Sequence, residues 1–288
     1  MTLDHHDDRK REVLVTIAIG DTFSIKFRKL FCGSLERYAE KNGFELVIID
    51  QPLRRSDKHV AWQKLLIFDH PRVAKYSRAL FVDADVYITS HAADPFSFIG
   101  DMQWGIVANN PYNLKGLKRT DLELYDGCPA NNRPDVLMNT GVFIVSKDIK
   151  PMLEMVYDTY PEQRCWENGP LSYHLLNDKR GVELPSGFNT IAACYRTAFG
   201  RSLSKILEMY HKNSFIHFAG GPMKTMPALQ IIKYIDTHPD STLTKLIYRF
   251  SQEKYDHFTA PMLSLVCRFI GIYDYRVKRR FVLEGHVK

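Results

Sequence analysis

A chain of 288 residues, 45% of them hydrophobic and 25% charged, is long enough to bury a substantial core and has the composition of a globular protein. Its net charge of +6 suits an anionic substrate or membrane surface without demanding nucleic acid, and none is expected as a partner. No stretch approaches the roughly 20 apolar residues of a membrane span, and five cysteines, with no Cys-x-x-Cys pair, argue against a disulfide framework and a structural zinc site.

Residues 1–12 form a polar tail without the apolar segment of a signal peptide, and a reducing, cytoplasmic compartment is expected. Residues 13–19 read as a buried strand ended by Gly20 and Asp21. The spacing of Phe27, Leu30, Phe31, Leu35 and Tyr38 predicts a helix over 22–41, with Asn42-Gly43 as its stop. A second strand covers 44–50. A basic loop then leads into a second helix carrying Trp62, Leu65, Leu66 and Phe68, and a third strand covers 79–88. This strand-helix alternation implies a parallel sheet with right-handed crossovers.

Further along, 104–108 gives a fourth strand and 109–134 a long polar loop of the kind that forms functional lids. Residues 136–145 are apolar around a polar Asn139-Thr140-Gly141 centre. Helices are predicted over 147–157 and 169–176, and a short strand over 215–218. The fold class is therefore α/β: a mostly parallel mixed sheet flanked by helices, in one domain over 13–257. Residues 258–288 read as a basic amphipathic helical tail, in which Met262, Leu265, Phe269 and Ile270 precede Arg276, Lys278, Arg279 and Arg280. Such a tail either packs on the main domain or lies in an anionic membrane interface, at the inner face of a membrane.

The run Phe81-Val82-Asp83-Ala84-Asp85 carries the most chemistry. In a strand, positions i and i+2 point the same way, so Asp83 and Asp85 can aim at one point. The carboxyl end of a strand in such a sheet is where ligands bind. Paired carboxylates in an apolar context are costly unless a cation or proton neutralises them. Together they could hold a divalent cation, and the cation a diphosphate. His217, followed by Phe218-Ala219-Gly220, is the third candidate ligand. Two carboxylates and an imidazole suit Mn²⁺, with Mg²⁺ possible.

Asp83-Ala84-Asp85, Met138-Asn139-Thr140-Gly141 and His217-Phe218-Ala219-Gly220, in this order, resemble the GT-A glycosyltransferases. The likeness is to the retaining galactosyl- and glucosyltransferases in which a late His joins Asp-x-Asp at the metal. The resemblance implies a metal-dependent transferase that moves a hexose from a UDP-sugar to a hydroxyl of a glycan or glycolipid, with retention. It implies that Ala18, Gly20 and Asp21 hold the nucleotide base, and that Lys64 reaches the donor sugar or diphosphate. It also places Ala84 and Gly220 at the phosphates and Lys224 as a further cation, although Lys224 follows His217 by seven residues where the family has six. Asn139 is implied at the sugar or acceptor, and Glu167 or Asn168 at the reacting carbon. Asn189 closes a loop, Pro185-Ser186-Gly187-Phe188-Asn189, of the same family type. Two other readings stay open: a phosphatase or phosphotransferase with Asp83 as nucleophile, and a silent nucleotide-sugar-binding scaffold.

Overall fold

The computed structural model describes residues 11–107, 125, 127–134, 138–162, 166–192, 203–219 and 222–252, the side chains of 222–227, 250 and 252 excepted. The polar tail up to residue 10, most of the 109–134 loop and the basic tail from 258 lie outside the described residues. The chain divides into two units, one of residues 1–194 with 213–219 and one of 195–212 with 220–288.

The first unit is built on a six-stranded sheet. In chain order its elements are β1 (Glu12–Ile17), α1 (Asp21–Leu30), α2 (Cys32–Asn42), β2 (Glu45–Ile49), a 3-10 helix (Val60–Asp69), β3 (Arg78–Val82), β4 (Val86–Ile88), β5 (Trp104–Ile106), β6 (Val142–Ser146), α3 (Lys150–Thr159), α4 (Asn168–Asn177), β7 (Gly181–Glu183), β8 (Thr190–Ile191) and β9 (Phe215–His217). Strands β2-β1-β3-β6-β5-β7 form the larger sheet, and β4-β9-β8 a second, three-stranded one. Strand β1 pairs in parallel with both β2 and β3, as the strand-helix alternation predicts. Strand β6 runs antiparallel between β3 and β5, and β7 is again parallel to β5, so the sheet is mixed and mostly parallel.

Strands β1, β3 and β6 are buried along their whole length except at Arg78, as continuous apolar runs covered on both faces should be. Trp62, Leu65, Leu66, Phe68, Phe81, Phe143, Leu153, Val156 and Leu171 share one core cluster with them. Helix α3 is tied to the 3-10 helix by Lys150, whose Nζ lies 2.6 Å from Asp69 Oδ1.

Three predicted elements differ from what is observed. The helix expected over 22–41 is two, broken at Phe31 (φ −120°, ψ −36°). There the Ser34 hydroxyl donates to Phe31 O at 2.8 Å and accepts from Ile88 N at 3.2 Å, so the second sheet holds the break. The element expected as a second helix is a ten-residue 3-10 helix, unusually long for that type. Every side chain from Trp62 to Phe68 on it is buried, and the Gln63 amide joins Leu53 N, Arg54 N and Arg54 O. The strand expected over 79–88 is split into β3 and β4, which belong to different sheets.

The second unit contains helices α5 (Leu203–Lys212), α6 (Pro222–Thr237) and α7 (Thr242–Gln252). Its interior polar tie is Tyr210, whose hydroxyl donates to Asp236 Oδ1 at 3.0 Å. No helix of the described residues is long and apolar enough to cross a membrane.

Candidate active site

Asp83 and Asp85 sit in the turn that joins the two sheets. Asp83 leaves the carboxyl end of β3, with its N–H donating to Gly141 O at 2.7 Å. Val86 N donates to Asp83 O at 3.0 Å and closes a four-residue turn. The carboxylates therefore converge because the chain turns, and not through the i, i+2 alternation of a strand. Phe218 N donates to Asp85 O at 2.9 Å, which fastens the turn to the strand that bears His217.

His217 ends β9 and lies directly opposite Val86 in the antiparallel β4-β9 pair. Its Nε2 is 3.1 Å from Asp85 Oδ1 and 3.9 Å from Asp83 Oδ2. One ligand atom from each of the three residues lies within 4.8 Å of the others. The carboxylates are half-buried and the imidazole is buried. Burial disfavours the charged imidazole, but Asp85 and then Asp83 outweigh it and raise the His217 pKa. Burial likewise opposes ionisation of Asp85, and His217 outweighs it and lowers that pKa.

The far side of the His217 ring is fixed. Nδ1 lies 3.1 Å from Asn189 Oδ1, while Asn189 Nδ2 donates to Asn139 O at 2.7 Å and to Asn139 Oδ1 at 3.1 Å. Because the Asn189 amide nitrogen donates on its other side, its oxygen accepts the Nδ1 proton. In the neutral ring the Nε2 lone pair then faces the two carboxylates, the arrangement of a metal-binding histidine. The ring also lies over Gly141, where a Cβ would run into Cε1 and come within 2.5 Å of Nδ1. Only glycine leaves that space.

Lys64 supplies the counter-charge. Its Nζ is 3.0 Å from Asp83 Oδ1, 3.0 Å from Glu167 Oε1 and 3.2 Å from Thr140 O. Burial lowers its pKa, and Asp83 and Glu167 together more than reverse that, so it stays charged. Thr140 binds the same group: its hydroxyl donates to Glu167 Oε1, and its N–H to Asn168 Oδ1 at 3.0 Å. Three carboxylates, Asp83, Asp85 and Glu167, thus gather around Lys64 and His217, and the oxygen and nitrogen donors of Asp83, Asp85 and His217 could hold a divalent cation such as Mn²⁺ or Mg²⁺.

The structure thus brings Lys64, Asp83, Asp85, Asn139, Glu167, Asn168 and His217 into one connected network. The Asn139 side chain accepts from Gly141 N at 3.0 Å as well as from Asn189, so it shapes the turn beneath the histidine. Glu167, the N-cap residue of α4, is fully buried, whereas Asn168 beside it is half-buried. Ala84 is buried within the turn. Ala18, Gly20 and Asp21 follow the carboxyl end of β1. The register Val15↔Phe81, continued two residues, sets Ile17 level with Asp83, so both segments leave the same edge of the sheet. Gly20 has φ +92° and begins α1, with Asp21 exposed after it. Gly220 and the side chain of Lys224 lie outside the described residues.

Thr140 and Asn189 are the residues whose roles sequence reasoning missed. Thr140 is hidden inside the Asn-Thr-Gly centre, and Asn189 appears only as the end of a loop. A buried histidine needs a partner on its second nitrogen, but nothing in the spacing says which residue supplies it.

No family model and no curated protein matches this sequence. Solved structures do. A glycosyltransferase involved in the glycosylation of the major capsid of PBCV-1 superposes with a TM-score of 0.51 at 16% identity, over 77% of this chain and 98% of that one. The bifunctional glycosyltransferase WbbM superposes with a TM-score of 0.50 at 14% identity, over 87% of this chain and 53% of its own, so the chain spans about half of WbbM. The mixed sheet, with Asp83 and Asp85 at the carboxyl end of β3, thus belongs to a fold that glycosyltransferases share.

Proposed function

We propose that the chain is a metal-dependent glycosyltransferase that moves a hexose from a UDP-sugar to a hydroxyl of a glycan or glycolipid acceptor, with retention at the anomeric carbon. The observation that carries this reading is the cluster of Asp83, Asp85 and His217, at the carboxyl edge of a sheet whose structural neighbours are glycosyltransferases.

Asp83, Asp85 and His217 Nε2 would hold the cation, Mn²⁺ by preference. A divalent ion there neutralises the charge that develops on a diphosphate as the sugar departs. Lys64 holds the Asp83 carboxylate in place through their ion pair, and Asn189 holds the His217 ring in the tautomer that presents Nε2. Glu167 is sealed from solvent, so it positions Lys64 and does not touch the substrate. Asn168 is the member of that pair open to a sugar. Glu167 is sealed from solvent and held in an ion pair with Lys64, so among the described residues it is not a free general base beside the trio. This supports a retaining route in which the leaving diphosphate takes the acceptor proton and the protein positions and stabilises. Main-chain groups at Ala18 and Gly20, with Asp21, are read as the base site at the same edge. The phosphatase alternative draws no support from these two neighbours.

Calorimetry with UDP, GDP and CMP, with and without Mn²⁺, tests the reading on the wild type and on Asp85→Asn, which keeps the side-chain volume. Mn²⁺-dependent binding of UDP, lost in Asp85→Asn, is the expected result. Absence of nucleotide binding with any metal overturns it.

A further inference from the structure

We infer that Trp166, backed by His59, is a stacking platform for the acceptor sugar, next to the site that holds the donor. The inference rests on the glycosyltransferase reading and adds to it a residue that selects the second substrate.

Three observations about Trp166 converge. It is the only tryptophan with solvent access: of the three in the sequence, Trp62 and Trp104 are fully buried and Trp166 is 42% exposed. An accessible indole offers a flat amphipathic ring, which is why tryptophan is enriched where proteins make contacts. It is also the only non-glycine residue with positive φ among those described, at +51°. A bulky side chain in the left-handed region is strained, and such strain persists where the surroundings over-determine it, most often at functional positions. Finally, the His59 ring stacks on it, with centroids 4.5 Å apart and planes 15° apart. One face of the indole is thereby covered, and the exposed part is the opposite face and edge.

The location follows from the chain. Trp166 immediately precedes Glu167 and Asn168, and His59 caps the 3-10 helix that carries Lys64, its Nδ1 accepting from Ala61 N at 3.2 Å. The Lys64–Glu167 ion pair ties the two segments inside, and the His59–Trp166 stack ties them again at the surface. His59 is itself anchored, its N–H donating to Glu162 Oε2 at 2.7 Å. His59 is thus held from both sides, and Trp166 stands one residue in sequence from the donor-site network. A pyranose presents a face of C–H groups that packs on an aromatic ring, while its hydroxyls stay in water or meet polar neighbours. An exposed, backed indole on a positive-φ backbone, beside a sugar-nucleotide site, fits that ligand better than it fits a structural role.

The arrangement also supplies its own probe, because quenching of tryptophan fluorescence by acrylamide reads Trp166 alone. With UDP and Mn²⁺ bound, methyl glycosides of galactose, glucose and N-acetylglucosamine are titrated in turn, with glycerol as a polyol lacking an apolar ring face. Protection from quenching by at least one glycoside and none by glycerol is expected. Trp166→Ala should raise the KM for that glycoside about tenfold, with the UDP dissociation constant within about twofold of wild type, and Trp166→Phe should recover part of the loss. Bound UDP without protection by any glycoside overturns the platform and leaves the transferase reading standing. Absence of Mn²⁺-dependent UDP binding overturns the transferase reading, and the platform with it.

Discussion

Lys64 and Glu167 form a buried ion pair, with Nζ 3.0 Å from Oε1 and side-chain exposures of 5% and 0%. Breaking such a pair from one side leaves an uncompensated buried charge, which costs about 3–5 kcal/mol. Lys64→Met should lose stability of that order, because Glu167 and Asp83 then face each other without a cation. Adding Glu167→Gln should recover part of the loss. Urea unfolding of the two single variants and the double variant checks this, and additive effects would show that the pair is not coupled.

Asn189 acts on the candidate metal through the histidine. Removing the partner of a ligand's second nitrogen typically lowers metal affinity about 10–100-fold. Asn189→Ala should show a loss of that size for Mn²⁺, followed by the paramagnetic signal of the free ion. Asn189→Asp, which can still accept from Nδ1, should bind more tightly than the alanine variant.

Gly141 leaves room for the His217 ring. In Gly141→Ala the added methyl would run into Cε1, so either the ring or the β3-β6 connection must move. Overpacking of this kind costs about 1–3 kcal/mol. The variant should therefore lose thermal stability and Mn²⁺ binding together, whereas Gly100→Ala, next to a surface glutamine, should change neither.

Glu45 gives a pH signature far from the site. The Tyr76 hydroxyl donates to its Oε2 at 2.5 Å, and this bond, with Arg72 beside it, holds the Glu45 pKa below the usual carboxylate range against the opposing effect of burial. A depressed folded pKa contributes stability above the unfolded value, and that stability is lost as pH falls through the folded one. Tyr76→Phe should be less stable than wild type at neutral pH, with the gap narrowing at acid pH as Glu45 protonates in the folded state. Urea midpoints at neutral and acid pH measure it, and a constant gap would show that the hydroxyl does not act through the carboxylate.

Much of the α/β frame was legible because a buried parallel strand must be apolar along most of its length, as 13–19 is, and the half-buried edge strand within 44–50 still carries the apolar run Leu46–Ile49. The antiparallel β6 was not legible, since an apolar run has no direction written in it. The split of 79–88 was hidden for a related reason: the residues on both sides of Asp83-Ala84-Asp85 are buried, so the pattern carried no sign of a change of sheet. At the site, Asp83, Asp85 and His217 could be named from residue type and order. Which carboxylate Lys64 would meet, and which amide would hold His217, depend on contacts between segments distant in sequence. Trp166 gave no signal, because neither a positive φ nor exposure can be read from a single tryptophan between a cysteine and a glutamate.

The pairing of Val86 with His217 has a consequence for the order of assembly. All six strands of the larger sheet lie before residue 184, so that sheet can close while the chain beyond it is still arriving. Strand β9 is the last strand to arrive and pairs with β4 across a long sequence separation, the slow kind of contact in folding. Until it docks, Asp83 has Lys64 as its counter-ion and Asp85 lacks its imidazole. The same docking event that completes the small sheet therefore also brings His217 to the two carboxylates and assembles the candidate site.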